Sequence, residues 1–247
     1  MTTAEKLAKV YENTEKVEAL NAELEQTLYG TNNGGKSFYD EFWDEFQNYG
    51  KARDYRYFFA GRGWTPTNFK PKYDIISDSS SYILFQTTRL TCSLIDVFKT
   101  QGIIFDVSKS SQLSNAFAYS GVTELPHIDA SGCNSASAIA AIFGYATNLR
   151  KIEKLTVKKN LTYTSVFLGC EALEEVEFAG VIGQNGLSLQ WSPKLTHDSL
   201  VSLINALEDK SADTSGTEWK VTIGSENLAK LTEAELQIAY NKGWDIV

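Results

Sequence analysis

The residues of this chain whose types and spacing could do chemistry begin with Gly30-Thr-Asn-Asn-Gly-Gly35-Lys36-Ser37, which matches G-x-x-x-x-G-K-[ST] at each fixed position. Such a loop wraps phosphate oxygens in backbone N–H groups, with the lysine on the terminal phosphates and the serine hydroxyl on magnesium. Gly102-Ile-Ile-Phe-Asp106 even supplies an apolar run ending in a carboxylate of the type that holds that metal. The loop works, however, only where a buried strand feeds it and alternating strands and helices build a parallel sheet. Here Glu18–Tyr29 is a charged heptad pattern, so the glycines read as a flexible hinge. No nucleotide, and no other cofactor, is expected.

His127 and His197 are the only histidines, so any His-assisted proton transfer must use one of them. His127 lies between Pro126 and Ile128 on an expected strand, and His197 precedes Asp198 at an expected helix start, where polar residues serve as caps. There is no Gly-x-Ser-x-Gly elbow and no Cys/His nucleophile signature. Glu174-Glu175 and Asp44-Glu45 are carboxylate pairs. Glycoside cleavage needs two carboxylates at a set separation, and adjacency in sequence does not supply it. Cys92, Cys133 and Cys170 are odd in number and far apart, and read as reduced thiols without zinc spacing. No catalytic residue and no metal site is expected, and the chain is read as not an enzyme.

The elements that would position these groups are set by a repeat. Phe143-Gly-Tyr-Ala-Thr-Asn-Leu149-Arg-Lys-Ile152-Glu-Lys-Leu155-Thr-Val157 aligns without a gap on the segment from Phe167 to Val181. Ala146 meets Cys170, Leu149 meets Leu173, Ile152 meets Val176 and Val157 meets Val181. A first unit fits after one deletion, with Phe117, Val122, Leu125 and Ile128 in register, and an earlier one around Phe85–Ile95 matches poorly. A period in the mid-twenties with Leu-x-x-Ile spacing predicts a leucine-rich solenoid, a form that binds surfaces more often than it catalyses. Cys170 in the slot of Ala146 is then a small core residue.

Around the repeats the expected class is α/β. An N-terminal coiled-coil helix leads to a small aromatic-rich collar, a short leucine-rich-repeat solenoid and an α+β C-terminal cap. The boundaries are 1–29 for the stem, 30–78 for hinge and collar, 79–190 for the solenoid and 191–247 for the cap. In the stem, Leu7, Thr14, Asn21 and Leu28 fall at heptad position a, and Val10, Val17 and Leu24 at d. That seam fits self-association, with a trimer as the expected homo-oligomer, or an amphipathic helix packed on its own body. Phe38, Phe42, Phe46 and Tyr49 recur at helical spacing, and Tyr55, Tyr57, Phe58, Phe59, Trp64, Phe69 and Tyr73 follow. These aromatics read as a collar core or as a carbohydrate platform. After Gly183-Gln-Asn-Gly186 the period stops. Leu200, Leu203, Ile204 and Leu207 then predict a helix, Trp219, Val221 and Ile223 a strand, Thr232-x-x-Glu235 a capping box, and Trp244–Val247 a last strand.

With 31 acidic against 23 basic residues and a net charge of −8, the chain argues against nucleic acid as partner. No apolar run suits membrane insertion, and no secretion signal is read at Met1-Thr-Thr-Ala-Glu-Lys, so synthesis in a cytoplasm is expected. If ligand meets the sheet face, the outward positions are Glu153, Lys154 and Thr156, with Glu175 and Glu177 one repeat on; otherwise these are solvated strand residues.

The segment Phe167-Leu-Gly-Cys170-Glu-Ala-Leu173-Glu-Glu-Val176 resembles the unit of BspA-like leucine-rich-repeat proteins, Phe-x-x-Cys-x-x-Leu-x-x-Ile. Asp40-Glu-Phe-Trp-Asp44, Phe59-Ala-Gly-Arg-Gly-Trp64 with Phe69-Lys-Pro-Lys-Tyr-Asp74, Gly180-Val-Ile-Gly-Gln-Asn-Gly186 and Lys242-Gly-Trp244 look like repeat proteins carried by phages and prophages of Firmicutes. The resemblance implies a virion part of tail- or head-fibre type. It would be held to other virion proteins by the stem and present the repeats to a host cell-surface glycan or protein. The first unit lacks the Cys of the pattern, and the chain lacks the cell-wall anchor of the secreted adhesins in the class. A bacterial leucine-rich-repeat adhesion or protein-interaction module is the alternative.

Overall fold

A computed structural model describes Phe42 and residues 59–60, 64–77, 79–81, 84–86 and 88–247. The chain divides into two compact units, Met1–Asn48 and Tyr49–Val247. In the first, Phe42 is helical and buried. The stem positions Leu7, Val10, Thr14, Val17, Asn21, Leu24 and Leu28, the Gly30–Ser37 loop and the aromatics from Phe38 to Phe58 other than Phe42 lie outside the described residues.

The second unit mixes short strands and helices. In chain order these are β1 (Ile75–Ile76), α1 (Leu94–Gln101), β2 (Phe105–Asp106), β3 (Glu124–Leu125), β4 (Ile128–Asp129), β5 (Lys151–Val157), β6 (Glu175–Gly180), α2 (His197–Ala206), β7 (Trp219–Val221), α3 (Ser225–Leu228), α4 (Glu233–Asn241) and β8 (Trp244–Ile246). Each strand pairing is parallel. β1 pairs with β2, β3 and β4 pair with one side of β5, β6 pairs with the other, and β7 pairs with β8.

Parallel neighbours need a return segment between them, and here each return is a run of turns rather than a long helix. Successive returns are tied by a repeating ladder. Leu113, Asn115, Phe117 and Tyr119 donate their N–H groups to Ala138, Ala140, Ile142 and Gly144 at 2.7–3.0 Å. Ala141, Phe143 and Tyr145 donate to Thr164, Val166 and Leu168 in the same way. Left-handed residues recur in step, with Asn115, Ala141 and Ser165 at φ 56, 50 and 55 and Tyr119 and Tyr145 at φ 56 and 57. They keep each run from closing into a continuous helix and free alternate N–H groups for the next unit.

Inside the returns stands a column of rings. Phe59, Phe85, Phe117, Phe143 and Phe167 stack with centroids 4.7, 5.5, 6.0 and 5.5 Å apart, and none is more than 1% exposed. Burying each phenyl contributes about 1.5–3 kcal/mol, and each ring contact about 0.5–1.5 more. The column reaches two rings beyond the three phenylalanines aligned in sequence. Phe85 heads a unit that matched poorly because the spacing to Phe117 is wider, the excess being taken up by helix α1. That helix starts on Ser93, whose hydroxyl accepts the Asp96 N–H at 3.1 Å, and stops at Gly102 with φ 64. Three residues after Phe85, Phe117, Phe143 and Phe167 lies a small buried side chain: Thr88, Ser120, Ala146 and Cys170. Phe59 also meets Trp64 and Phe69 edge-on, at 6.1 and 5.6 Å, and all three are buried. These three rings are core and leave no platform for a sugar.

Two readings of the repeat need correction. Ile152 does pair with Val176, but a bulge follows, so Leu155 pairs with Phe178 and Val157 with Gly180 rather than Val181. The bulge turns Glu153 and Lys154 both outward and keeps Leu155 and Phe178 both inside, whereas gapless pairing would set Leu155 against Ala179. Nor does the period end near Gly186. Leu189, Ser192 and Leu195 repeat the ring, small and leucine positions, all buried, and the Ser192 hydroxyl donates to the Cys170 carbonyl at 3.1 Å. Leucine there replaces the ring and helix α2 replaces the strand, which hides the unit from a search for either.

Helix α2 closes the open edge of β6. The hydroxyls of Ser199 and Ser202 accept the N–H groups of Val176 and Phe178 at 2.9 and 3.0 Å, donors that a further strand would otherwise take. Thr196 caps the helix N-terminus. At the other end no basic residue of α2 itself is present, and Lys242 donates to the carbonyls of Ile204, Asn205 and Leu207 at 2.9–3.0 Å. Thr232 and Glu235 form the expected capping box of α4, and β8 follows Gly243, at φ 78.

Candidate ligand-binding face

The outward residues of β5 and β6 are placed by the bulge and by register. Lys151 faces Glu175 across the pair, with Nζ 2.6 Å from Oε2, and Lys154 Nζ lies 3.0 Å from Glu177 Oε1. Arg150 reaches Glu124 at 3.2 Å. Thr156 Oγ1 sits 2.8 Å from His127 Nε2, which joins the β3–β4 connection to β5. The hydrogen bond to Glu175 raises the Lys151 ammonium above its ordinary value, against an opposing effect of burial. These groups are largely in water, so each pair contributes about 0–1 kcal/mol.

Of the five positions expected to meet ligand, Lys154 and Glu177 are thus joined to each other, Glu175 to Lys151, and Thr156 to His127. Glu153 is exposed on the bulge. Beside them opens a groove of about 450 Å³. Lys151, Glu153, Glu175 and Glu177 line it from the strands, and Thr196 and Asp198 from the start of α2. The contribution of α2 was not legible in the sequence, because nothing there shows that the helix docks against the β6 edge. A second cavity of similar volume lies between Asn185, Ser188, Glu218 and Lys220, but Asn185 spends both ends of its amide on Glu218 O and Lys220 N.

The groups considered for chemistry are spread apart. His197 Nε2 is 2.8 Å from Glu235 Oε1, far along the chain from His127. Asp106 accepts the Ser108 N–H at 2.8 Å. Glu175 is held by Lys151, while both the Glu174 and Glu175 N–H groups donate to the Arg150 carbonyl. Among the described residues no three His, Cys, Asp or Glu side chains converge as a metal site would require. Burial pushes the thiols of Cys92, Cys133 and Cys170 up to about 11, 12 and 12, so all three stay protonated and weakly reactive near neutrality. All three are unpaired. Among the described residues no helix is long and apolar enough to cross a membrane.

No protein-family model, curated protein or solved structure matches the chain.

Proposed function

We propose that residues 79–190 are a short leucine-rich-repeat solenoid capped by 191–247, and that the chain is a structural part of a phage particle. In this reading it is a tail or head fibre of receptor-binding type that displays the solenoid for attachment to the bacterial host surface. The observation that supports the solenoid part is the phenylalanine column, one ring per unit at 4.7–6.0 Å, with parallel strand segments of successive units beside it; the particle part rests on the resemblance of the sequence motifs. Units that stack this way bury a continuous core only together, and they expose a continuous face suited to binding another surface. The groove between the sheet face and α2 is the place where that face gains a wall. The self-paired charges of the face suit a neutral or mixed-charge host glycan or protein.

The stem residues Leu7, Val10, Thr14, Val17, Asn21, Leu24 and Leu28 serve assembly, as a trimer, and attachment to other virion proteins. Light scattering of the full chain should give an elongated oligomer, and deletion of residues 1–29 should give a monomer. A monomeric full-length protein overturns the assembly part of the reading. Immunogold labelling of purified particles tests the location, and particles without label overturn it.

A further inference from the structure

The stacked units carry a second column, two residues beyond the first. At that position stand Tyr119, Tyr145, Gly169 and, after Leu189, Trp191. Tyr119, Tyr145 and Trp191 are 55%, 45% and 44% exposed. The tyrosine rings stack on each other at 5.0 Å and 14°. Tyr145 rests on Gly169, where an added Cβ would come within 2.9 Å of its ring. The Ser192–Cys170 hydrogen bond sets the unit of Trp191 next to that of Gly169.

We propose that this aromatic strip is a binding site for an uncharged glycan chain laid across successive units. The backbone does not ask for aromatics at this corner: Tyr119 and Tyr145 sit in the left-handed region, where Gly169 meets the same need without a side chain. The left-handed turn itself belongs to the fold and is served by small residues at Ala141 and Ser165, so it is the choice of aromatic side chains here that folding leaves unexplained. Size then separates ligand classes. A half-exposed aromatic offers on the order of 100 Å², and three of them fall well short of the roughly 800 Å² per partner of a stable protein interface. A few sugar rings need no more, since the apolar face of a pyranose matches one aromatic ring, and the phenol and indole polar ends can meet its hydroxyls. Charge settles the kind of glycan, because a chain of net charge −8 disfavours a polyanion. The strip lies on the return segments rather than on the sheet strands, and the inference stands whether or not the protein belongs to a particle.

The test is an NMR titration of the full chain with three probes: chitotriose, cellotriose and the anionic trigalacturonate. At least one neutral probe should shift the Tyr119, Tyr145 and Trp191 ring signals saturably, and trigalacturonate should bind roughly tenfold more weakly or not at all. The double variant Tyr119→Gly with Tyr145→Gly, and separately Trp191→Ala, should each lose roughly tenfold or more in affinity. The double variant should do so without a fall in Tm, because glycine relieves the backbone while removing the rings. Asp245→Asn, at an exposed position of β8, should bind as the parent does. If neither neutral trisaccharide shifts these rings, or if the shifts survive in the double glycine variant, the proposal is overturned.

Discussion

The inner and outer columns of the stacked units run two residues apart on the same backbone ladder, yet only one of them is uniform. Inside, the ring position is Phe at 59, 85, 117, 143 and 167 and Leu at 189, all buried. Outside, it is Tyr, Tyr, Gly and Trp at 119, 145, 169 and 191. The ladder spaces both columns alike, so spacing alone cannot account for the contrast. Close packing restricts the inner position to one shape, since a smaller side chain leaves a cavity and a larger one strains its neighbours. The outer position meets water and is free of that demand. There the two left-handed tyrosines cost about 1–2 kcal/mol each, which their half-burial and the roughly 0.5–1.5 kcal/mol of their stacking offset. The inner column adds stability and the outer one adds close to none.

The sharpest way to break this contrast is to truncate one ring in each column. Phe143→Ala removes the middle of the inner stack and should cost about 3–5 kcal/mol in denaturant unfolding. Tyr145→Gly should stay within about 1 kcal/mol of the parent, since lost stacking and relieved strain oppose each other. Equal losses in the two would mean that the outer rings are core after all. Next in size comes Gly180→Ala. Gly180 has φ 78 and would drive a Cβ into the Val157 carbonyl, so the variant should lose roughly 2 kcal/mol or more, through left-handed strain and a broken β5–β6 pairing. Hydrogen exchange should rise in β6 before β3.

Much of this architecture is legible in the sequence where burial dictates residue type. Phe143 aligned with Phe167, Leu125 with Ile152, the Thr232–Glu235 box and the strand at Trp219 all rest on local rules that the packing leaves in force. The misses have a common cause. The bulge after Ile152 arises from keeping Phe178 inside, and Phe59 and Leu189 belong to the column only because the chain returns to them in space. Two of the motifs that carried the family resemblance turn out to be joints: Gly180 admits the Val157 carbonyl, Lys242 closes the end of α2, and Trp244 is buried beside it with its Nε1 on the Glu208 carbonyl at 2.7 Å. Joints recur wherever the same turn must be made, so they report geometry more directly than ligand. The five sheet-face residues were found by alternation, but their mutual pairing and the wall supplied by α2 depend on register and docking, which no local pattern encodes.

The edge that α2 covers offers a finer test. Ser199→Ala leaves the Val176 N–H buried without an acceptor, which should cost about 1–3 kcal/mol. Ser202→Ala affects a less buried donor and should cost less. Both losses should appear as faster exchange at β6, with the inner column still intact by near-ultraviolet dichroism. Serine-to-alanine changes without effect would mean that the edge is closed by packing alone.

The smallest expected effect separates the C-terminal elements from β5 and β6 by pH. Around α4, β7 and β8, Asp209, Asp213 and Glu235 are held below the usual carboxylate range, chiefly by hydrogen bonds from Ser211, Ser215 and Thr232 respectively. Their folded values lie below the unfolded ones of about 3.9 for Asp and 4.3 for Glu. The unfolded chain therefore binds more protons in that window, and the stabilisation, full above it, is lost as pH falls through the folded values. On the sheet face the sign is reversed. The Lys151 value is raised, so its contribution is full below the unfolded value of about 10.4 and lost only as pH rises through the folded one. Acidification from neutrality to ~pH 3 should accordingly loosen β7 and β8 first. Trp219 reports it directly, because its Nε1 donates to Asp213 Oδ2 at 2.6 Å. Protection of β7 and β8 amides should fall while that of β5 and β6 persists. If β5 exchanges as early as β7, then β5–β6 and β7–β8 unfold together, and the inner column has no stability of its own apart from them.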